Sequence, residues 1–292
     1  VLAVLLIWVA VRHTETQFGE KQAPVMGVVA AFIFAAQAIN FPIAAGTSGH
    51  VLGGALAGIL MGPWAGILIM TAVIVVQGLL FQDGGLLVMG WNILSMGVFS
   101  VLAGYAAYSG ILRLFPRWNK AGSIAAFVAA WLSVQASAIA TAVALSVSGT
   151  FPLYLSLPSL TGIYALSGLG EGVVTAAAVS LLLASRPEVL QRSQAMAGSA
   201  SASLLTVGLA ICGILVLLSP YASQAPDGLE TVAEAGGFST LAKEPIFEVF
   251  PDYSVGLLGG ASYSTVAALL MGSILVFSLV SMVGQFAARA EE

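Results

Sequence analysis

The sequence is built from long apolar runs separated by short polar breaks, and this alternation limits what the chain can fold into. Only 8% of its 292 residues are charged and 59% are hydrophobic, whereas a soluble domain carries about 25% charged residues. A chain with so few charges cannot cover a folded core against water. Runs that approach the ~20 residues of a membrane-crossing helix therefore predict an all-α integral membrane protein.

The apolar runs fall into two groups. Seven of them form a predicted membrane domain at 1–184, and two more follow a polar linker at 185–202. The last two flank an acidic segment at 220–261 that contains Pro and Gly, so 203–292 forms a second predicted region. We expect a seven-helix bundle followed by two further transmembrane helices. The runs are 1–11, 25–39, 49–61, 64–81, 86–112, 121–148, 160–184, 203–219 and 262–286.

Basic residues indicate which loops face the cytoplasm, because Lys and Arg collect on that side of a membrane protein. If the first run crosses from outside to inside, Lys243 is the only one of the 9 basic residues that falls outside. This orientation puts the linker 185–202 in the cytoplasm. His50 then lies at the external mouth of the membrane domain, and His13 lies at the cytoplasmic end. The predicted external loops are 40–50, 82–85, 149–159 and 220–261.

The first residues lie within an apolar run, "VLAVLLIWVAV" at 1–11, and no Met precedes them. Such a run is about half as long as the ~20 residues that a spanning helix needs. We therefore expect the natural N-terminus to lie upstream of Val1.

His50 ends the motif "GTSGH" at 46–50, between two apolar runs. Its ordinary role would be structural, with the ring bonded to a backbone carbonyl at a helix start. Two features favour a metal ligand instead. The motif breaks the apolar pattern, which is tolerated at membrane depth around a cavity or inside protein, and neutral imidazole is the commonest metal ligand. The residues alone leave both interpretations open.

Small residues recur at helical spacing in two runs. Gly54, Gly58 and Gly62 follow His50 at intervals of four, and Ala31 with Ala35 makes a weaker stripe. Small residues let membrane helices approach closely. The stripes predict either packing within the bundle or docking of another membrane subunit.

Three polar residues in or next to the apolar runs are further candidates. Glu171 lies at the centre of the run 160–184, where a carboxyl group must face protein or water. It either bonds a neighbouring helix or tunes a site. Asp83 in "FQDGG" is most simply a turn residue. Asn92 is expected to form hydrogen bonds between helices, as are Asn40, Gln77 and Gln135.

Several functional classes find no support. The phosphate-binding pattern GxxxxGK[ST] is absent, as are HExxH, a His pair and a Cys cluster, and Cys212 is the single cysteine. We therefore expect no bound nucleotide and no enzymatic activity. The net charge of -4 argues against nucleic acid as a partner.

Residues 40–97 resemble the cobalt/nickel substrate-binding S component of energy-coupling factor transporters, the CbiM/NikM family. The motifs "GTSGH", "GPWAG" and "QDGG" carry the resemblance, and "GLGEGVVTA" at 168–176 looks like the last core helix of that family. "PDGLETVAEAGGF" at 226–238 is similar to the accessory N component, which occurs as a partner of the S component or fused to it.

The resemblance implies a transporter subunit in the inner membrane of a prokaryote. Such a subunit captures Ni²⁺ or Co²⁺ outside, and a separate transmembrane T component with two cytoplasmic ATPases supplies the energy. The "GTSGH" form is more similar to the nickel branch. The alternative is a self-contained secondary permease or channel, which would need internal repeats and intramembrane charge pairs.

The resemblance also implies a ligand set. In the family the chain begins Met-His, and its terminal amine, the second residue's amide and imidazole, and a histidine at the position of His50 bind the metal. Four nitrogens in a plane suit Ni²⁺. His50 is then the one ligand present in this sequence. The expected neighbours of the ligands are Thr47, Ser48, Asp83, Asn92 and Glu171.

The segment 220–261 carries six of the seven acids that this interpretation places outside the membrane, and Asp83 is the seventh. The segment would assist metal loading by contact, with electrostatic attraction secondary because salt screens it within ~8–10 Å. The alternative is that these acids only keep an exposed loop soluble. The acids are Asp227, Glu230, Glu234, Glu244, Glu248 and Asp252.

Overall fold

The structure, a computed structural model, describes residues 1–15, 22–44, 46–116, 121–185, 202–242, 247, 249–259 and 262–289. Long helices dominate these residues. A two-stranded ribbon pairs Phe41 with Gly49 and Pro42 with Ser48 in antiparallel register. The helices are α1 (Leu2–Glu15), α2 (Ala23–Gln37), α3 (Gly54–Phe81), α4 (Met89–Leu114), α5 (Ala121–Val147), α6 (Leu153–Ser185), α7 (Ala202–Leu218), α8 (Gly228–Ala235) and α9 (Ser262–Arg289). The strands are β1 (Phe41–Pro42) and β2 (Ser48–Gly49).

Five of the described helices are long and apolar enough to cross a membrane, namely α3, α4, α5, α6 and α9. Three shorter apolar helices accompany them, at Leu2–Thr14, Ala23–Gln37 and Leu205–Tyr221. The chain is therefore a helical, multi-pass membrane protein, as the apolar runs predict. The division into seven helices and then two stays a prediction.

The helix α3 is a hairpin, because the chain reverses direction at Gly62–Pro63. Gly62 has φ 79° and ψ 168°, which only glycine adopts without strain. A Cβ atom on Gly66 would lie 3.0 Å from the backbone nitrogen of Gly58. In an unbroken helix these two residues would be about 12 Å apart along the axis. The gap between the predicted runs 49–61 and 64–81 is thus a turn at Gly62–Pro63, between a short arm, 54–61, and a long arm, 63–81.

The hairpin changes the small-residue stripe that the sequence suggests. Gly54 and Gly58 lie on one helical face and pack against α4, at Ser100 and Val101. Gly62 lies at the turn instead, and no described atom comes within 4 Å of a Cβ placed there. The expected three-residue face is therefore a two-residue face, because positive φ at Gly62 ends the helical spacing.

The helix α6 starts at Leu153, inside the loop 149–159 that the sequence predicts. Pro158 lies in its second turn. Proline lacks an N–H, so the carbonyl of Tyr154 loses its helical donor. The helix continues beyond this position, and the loop is shorter than its Pro and Ser residues suggest.

The helix α2 is buried on nearly all sides, and the C-terminal helices supply much of its cover. Gly27 approaches Phe277 of α9, and Cys212 of α7 donates its thiol to the carbonyl of Ala31 at 3.5 Å. Ala31 and Ala35 are 1% and 0% exposed. In this chain the alanine stripe is therefore covered by the chain's own packing.

The four loops predicted on one side of the membrane meet at one end of the molecule. The backbone of Ser223 donates to Asn40, Tyr253 bonds Asp83, and Phe238 packs on Phe151 with ring centroids 5.1 Å apart. At the opposite end, His13 stacks on Trp64, next to the α3 turn. The side of the membrane that each end faces stays a prediction. The described residues do not include most of the linker 185–202 or Lys21, Arg117, Lys120, Arg186, Arg192, Lys243, Glu244 and Glu248.

Candidate metal-binding site

His50 lies between β2 and the short arm of α3, in a segment that is neither helix nor strand. The imidazole is half-buried. Its Nδ1 lies 3.2 Å from the carbonyl oxygen of Val51, and because a carbonyl only accepts, Nδ1 carries the proton. This tautomer leaves Nε2 with a free lone pair, as a metal ligand requires.

The chain just after His50 is held by two side chains from other helices. Glu171 of α6 is 0% exposed, and its two carboxyl oxygens accept the backbone N–H of Leu52 at 2.5 Å and of Gly53 at 2.8 Å. Gln37 of α2 donates from Nε2 to the carbonyl of Leu52 at 2.6 Å. The peptide between Leu52 and Gly53 is therefore fixed on both sides, two residues from His50.

Gly53 is required by this arrangement. It caps the start of α3, just before Gly54, with φ 84°, a left-handed conformation that disfavours residues with a Cβ. Its N–H would otherwise lack a partner at the start of the helix. Glu171 supplies that partner from 118 positions along the chain.

The other side of the loop is held by the C-terminal region. The backbone N–H of Ser48 donates to the carbonyl of Pro226 at 2.8 Å, and its hydroxyl donates to that of Ala225 at 2.8 Å. Thr231 donates to the hydroxyl of Thr47 at 3.3 Å. Thr47 and Ser48 are predicted as neighbours of a metal. Ser48 bonds the segment that leads into α8, and Thr47 bonds α8 itself.

The motif at the start of α8 forms a capping box. Asp227 accepts the backbone N–H of Glu230 at 2.8 Å, and Glu230 accepts that of Asp227 at 3.0 Å. This reciprocal pair fixes the helix start next to Ser48. Two of the acids predicted as a loading surface are therefore used in local structure.

His50 opens onto a polar cavity of about 390 Å³, which we call the His50 cavity. Residues from 37–96 form one wall and residues from 219–269 form the other. The described lining contains one acid, Asp83, and neither Lys nor Arg. The lining residues are Gln37, Ala38, Asn40, His50, Gln77, Asp83, Met96, Ser219, Pro220, Ala222, Gln224, Tyr253, Ser262, Thr265 and Leu269.

Tyr253 closes part of this cavity. Its hydroxyl donates to Asp83 at 2.5 Å and accepts from Gln77 Nε2 at 3.4 Å, and its ring stacks on Phe81 with centroids 4.7 Å apart. Burial and the nearby Asp83 carboxylate raise the pKa of the Tyr253 hydroxyl well above its ordinary value. The hydroxyl therefore stays protonated and able to donate to Asp83.

The predicted site residues thus have different places. Asp83 and His50 share the cavity, Glu171 holds the backbone behind His50, and Asn92 donates to the carbonyl of Gly84 at 3.3 Å. Among the described residues, no group of three or more His, Cys, Asp or Glu side chains could hold a metal. Among the described residues that line the cavity, His50 is the one imidazole.

Sequence reasoning did not single out Gln37 or Tyr253. Gln37 has a recognisable signal, a polar side chain at the end of an apolar run. Tyr253 has none, because its role depends on contact with Asp83, 170 positions away.

Comparison with known proteins decides the family. The sequence pattern of the cobalt uptake substrate-specific transmembrane region, CbiM, matches residues 1–189, and the PDGLE domain matches residues 201–289. The chain belongs to the CbiM family. Its C-terminal PDGLE region makes it similar to the fused members of that family, which is the resemblance that the motifs predict. It is accordingly a membrane protein of the CbiM type, and its relatives are named as nickel or cobalt transport proteins.

Relatives of this CbiM-family chain cover one or both of its regions. A protein of Archaeoglobus fulgidus, named as a fused nickel transport protein, is 37% identical over 93% of this chain and 89% of its own length. The fused nickel transport protein of Rhodobacter capsulatus is 27% identical over 94% and 90%. The cobalt transport protein CbiM of Sorangium cellulosum is 33% identical over 63% and 82%.

Two solved structures of transition metal transporters have a fold similar to that of this chain. A crystal structure of a transition metal transporter is 28% identical and superposes with a TM-score of 0.56, covering 63% of this chain and 86% of the other. A truncated transition metal transporter gives a TM-score of 0.55 at 29% identity, over 62% and 89%.

Proposed function

We propose that this chain is the substrate-capturing S component of an energy-coupling factor importer for Ni²⁺ or Co²⁺. It works in a prokaryotic inner membrane with a separate T component and two ATPases. The observation that carries this proposal is the position of His50 in a chain of the CbiM family: it is half-buried on a polar cavity, with Nδ1 donating to the Val51 carbonyl.

Nickel is the favoured cargo. Three relatives that cover both regions are named nickel transport proteins, at 93%, 94% and 96% of this chain. Three relatives named cobalt transport proteins cover 63%, 58% and 59% of it. In the proposed site, His50 Nε2 supplies one of four nitrogens, and a Met-His N-terminus supplies the others, since planar nitrogen donors suit Ni²⁺.

Glu171 and Gln37 are positioning residues in this proposal. They do not touch the metal, but they fix the Leu52–Gly53 peptide and hence the backbone from which the imidazole extends. Groups that orient a metal ligand in this way typically change metal affinity 10- to 100-fold when they are removed.

Residues 1–184 form the capturing domain in this proposal, 185–202 the cytoplasmic linker, and 203–292 the accessory region with an external segment at 220–261. The contacts of Pro226 and Thr231 with the loop that carries His50 support an accessory role exerted by direct contact. The accessory region then acts on the loop without supplying a ligand.

The test is His50→Ala in the chain with its natural N-terminus. We expect Ni²⁺ binding measured by calorimetry to fall by at least about 100-fold, because a ligand is lost, while the protein remains folded and monodisperse. The matched control is His13→Ala, at the opposite end of the molecule. Stoichiometric tight binding in the His50 variant would contradict the proposal.

A second measurement separates the importer from a self-contained permease. Cells that carry the chain alone, the chain with the T component, or the chain with the T component and both ATPases are compared for Ni²⁺ uptake. We expect ATP-dependent uptake in the complete set. Full uptake by the chain alone would favour the secondary permease.

A further inference from the structure

The segment 249–255 lies across the outer end of the long arm of α3, and we call it the strap. The backbone N–H of Phe250 donates to the carbonyl of Leu80 at 2.9 Å. At the far end, the N–H of Val255 donates to the hydroxyl of Ser264 at 2.7 Å, and that hydroxyl donates to the carbonyl of Val255 at 3.1 Å. The strap therefore joins the end of α3 to the first turn of α9.

Aromatic rings hold the strap against the region that matches CbiM. The Tyr253 ring stacks on Phe81 with centroids 4.7 Å apart, and the Phe250 ring lies 5.3 Å from the same partner. Phe81 is 4% exposed, and the fully buried Phe34 lies 6.4 Å from Tyr253. Aromatic burial dominates such a contact, so the strap stays attached when one of its polar bonds breaks.

The Tyr253 hydroxyl adds a polar contact with the end of α3. It donates to Asp83 at 2.5 Å and accepts from Gln77 at 3.4 Å. A hydrogen bond to a carboxylate is about twice as strong as one between neutral groups. Two described non-glycine residues have positive φ, Gln82 at 55° and Tyr253 at 53°, and they lie on either side of this bond. Residues with a Cβ rarely adopt that conformation, and they are found at segments that switch between conformations.

His50 lies deeper in the molecule than the bond between Tyr253 and Asp83. The two arms of α3 run side by side from the turn at Gly62–Pro63, and the short arm, 54–61, is shorter than the long arm, 63–81, by roughly 16 Å. The chain from His50 to Gly54 spans at most roughly 14 Å. His50 is therefore closer to the turn than the end of the long arm is, and the strap lies on the outer side of the His50 cavity.

We propose that the strap is a lid on the His50 cavity, held closed by the bond between Tyr253 and Asp83. Both residues line the cavity, together with Gln77. The lid opens when the hydroxyl leaves Asp83, and the metal enters and leaves while it is open. The lid rests on the proposed function and identifies the element of the accessory region that controls access to His50.

A lid has a kinetic signature that a positioning residue lacks. Entry and exit both need the open state, so a larger open fraction raises both rates by the same factor and leaves the affinity unchanged. Loss of a group that orients a ligand changes the affinity instead.

Tyr253→Phe tests this signature, because it keeps the ring on Phe81 and removes the hydroxyl. The parent is the chain with its natural N-terminus. Association of Ni²⁺ is measured by stopped flow, and dissociation is measured by transfer to a chelator. We expect both rates to rise about tenfold, the loss of one hydrogen bond to a charged group, with affinity within about twofold of the parent.

The matched control is Tyr263→Phe. The Tyr263 hydroxyl is exposed and donates to the carbonyl of Leu258 at 3.1 Å, outside both the strap and the cavity lining. We expect rates within about twofold of the parent, because an exposed hydroxyl bond exchanges readily with water. Equal acceleration in the two variants, unchanged rates in Tyr253→Phe, or a changed affinity without a matched rise in both rates would overturn the lid.

The lid can also be measured without metal. Thr265 lines the cavity from α9 and is half-buried, and Cys212 is the single cysteine of the chain. Thr265→Cys in a Cys212→Ala background therefore gives one thiol, whose labelling by a charged, water-soluble thiol reagent reports access to the cavity. We expect Tyr253→Phe to speed labelling about tenfold and Tyr263→Phe to leave it unchanged.

Equal labelling rates with and without the Tyr253 hydroxyl would show that the strap is a fixed wall. Failure of the proposed function would be seen separately, as absent tight Ni²⁺ binding in the parent. The labelling result would still decide whether the strap opens.

Discussion

The loop that carries His50 is held from two sides by unlike means. On one side, Glu171 and Gln37 reach it from fully or nearly buried positions within the region that matches CbiM. On the other side, Pro226 and Thr231 bond it from the PDGLE region through a carbonyl and a hydroxyl.

The difference in bonding predicts a different role for each side of the loop. Bonds from a buried carboxyl group are strong and costly to break, so they keep one geometry of the loop. Neutral bonds to a surface segment are weaker and can exchange with water. We therefore expect the buried side to set the affinity for the metal and the PDGLE side to set the rate at which the loop admits it.

The largest effect should come from the buried side. Glu171→Gln leaves one oxygen and places an NH2 group against a backbone N–H, so one buried donor loses its acceptor. We expect Ni²⁺ affinity to fall about 10- to 100-fold by calorimetry. Ser180→Ala, which removes a hydroxyl bonded to Ser123 and to the carbonyl of Ala176 on the same helix, is the control. Unchanged affinity in the Glu171 variant would show that the loop keeps its geometry without the carboxyl group.

The next effect belongs to Gln37, which contributes one neutral bond to Leu52. Gln37→Leu should weaken Ni²⁺ binding about 2- to 10-fold, which corresponds to about 0.5–1.5 kcal/mol for one hydrogen bond. A loss larger than that of Glu171→Gln, measured in the same buffer, would reverse the order of the two clamping residues.

A smaller effect is expected on the PDGLE side. Asp227→Ala removes the cap of α8 and should cost about 1 kcal/mol of local stability. We expect faster hydrogen exchange in 228–235 and slower uptake, with Ni²⁺ affinity unchanged within about twofold. Glu230→Gln keeps an acceptor for the Asp227 N–H and is the control. A fall in affinity as large as that of Glu171→Gln would erase the distinction between the two sides. Point changes suit this test, because removing 203–292 would strip α7 and α9 from α2.

The sequence predicts some of these features directly. Apolar runs locate the helices, and the break "GTSGH" marks His50 as the residue to examine. The "GP" dipeptide at 62–63 predicts the break in α3. Glycine readily leaves the helical conformation, and proline lacks the N–H that would continue the helical hydrogen bonds. These are local signals, carried by neighbouring residues.

Features that depend on distant contacts are not available from the sequence. Glu171 can be identified as a buried carboxyl group, but its partner, the Leu52–Gly53 backbone, is 118 to 119 positions away and has no side-chain signal. The bond between Tyr253 and Asp83 is equally distant. The start of α6 at Leu153 also departs from expectation, because a proline in the second turn removes only one helical bond.

The smallest effect should come from Thr231, and it tests the PDGLE side most finely. Its hydroxyl donates to Thr47 at 3.3 Å, a long bond between part-buried groups that contributes about 0.5 kcal/mol or less. Thr231→Val keeps the shape and removes that bond, whereas Thr231→Ser keeps the hydroxyl. We expect the valine variant to bind Ni²⁺ with unchanged affinity and to take it up at a rate within about twofold of the parent. We expect hydrogen exchange to increase in the loop 46–49 of the valine variant and to match the parent in the serine variant. If exchange increases instead at 52–53, the two sides of the loop are coupled, and the separation between affinity and admission does not hold.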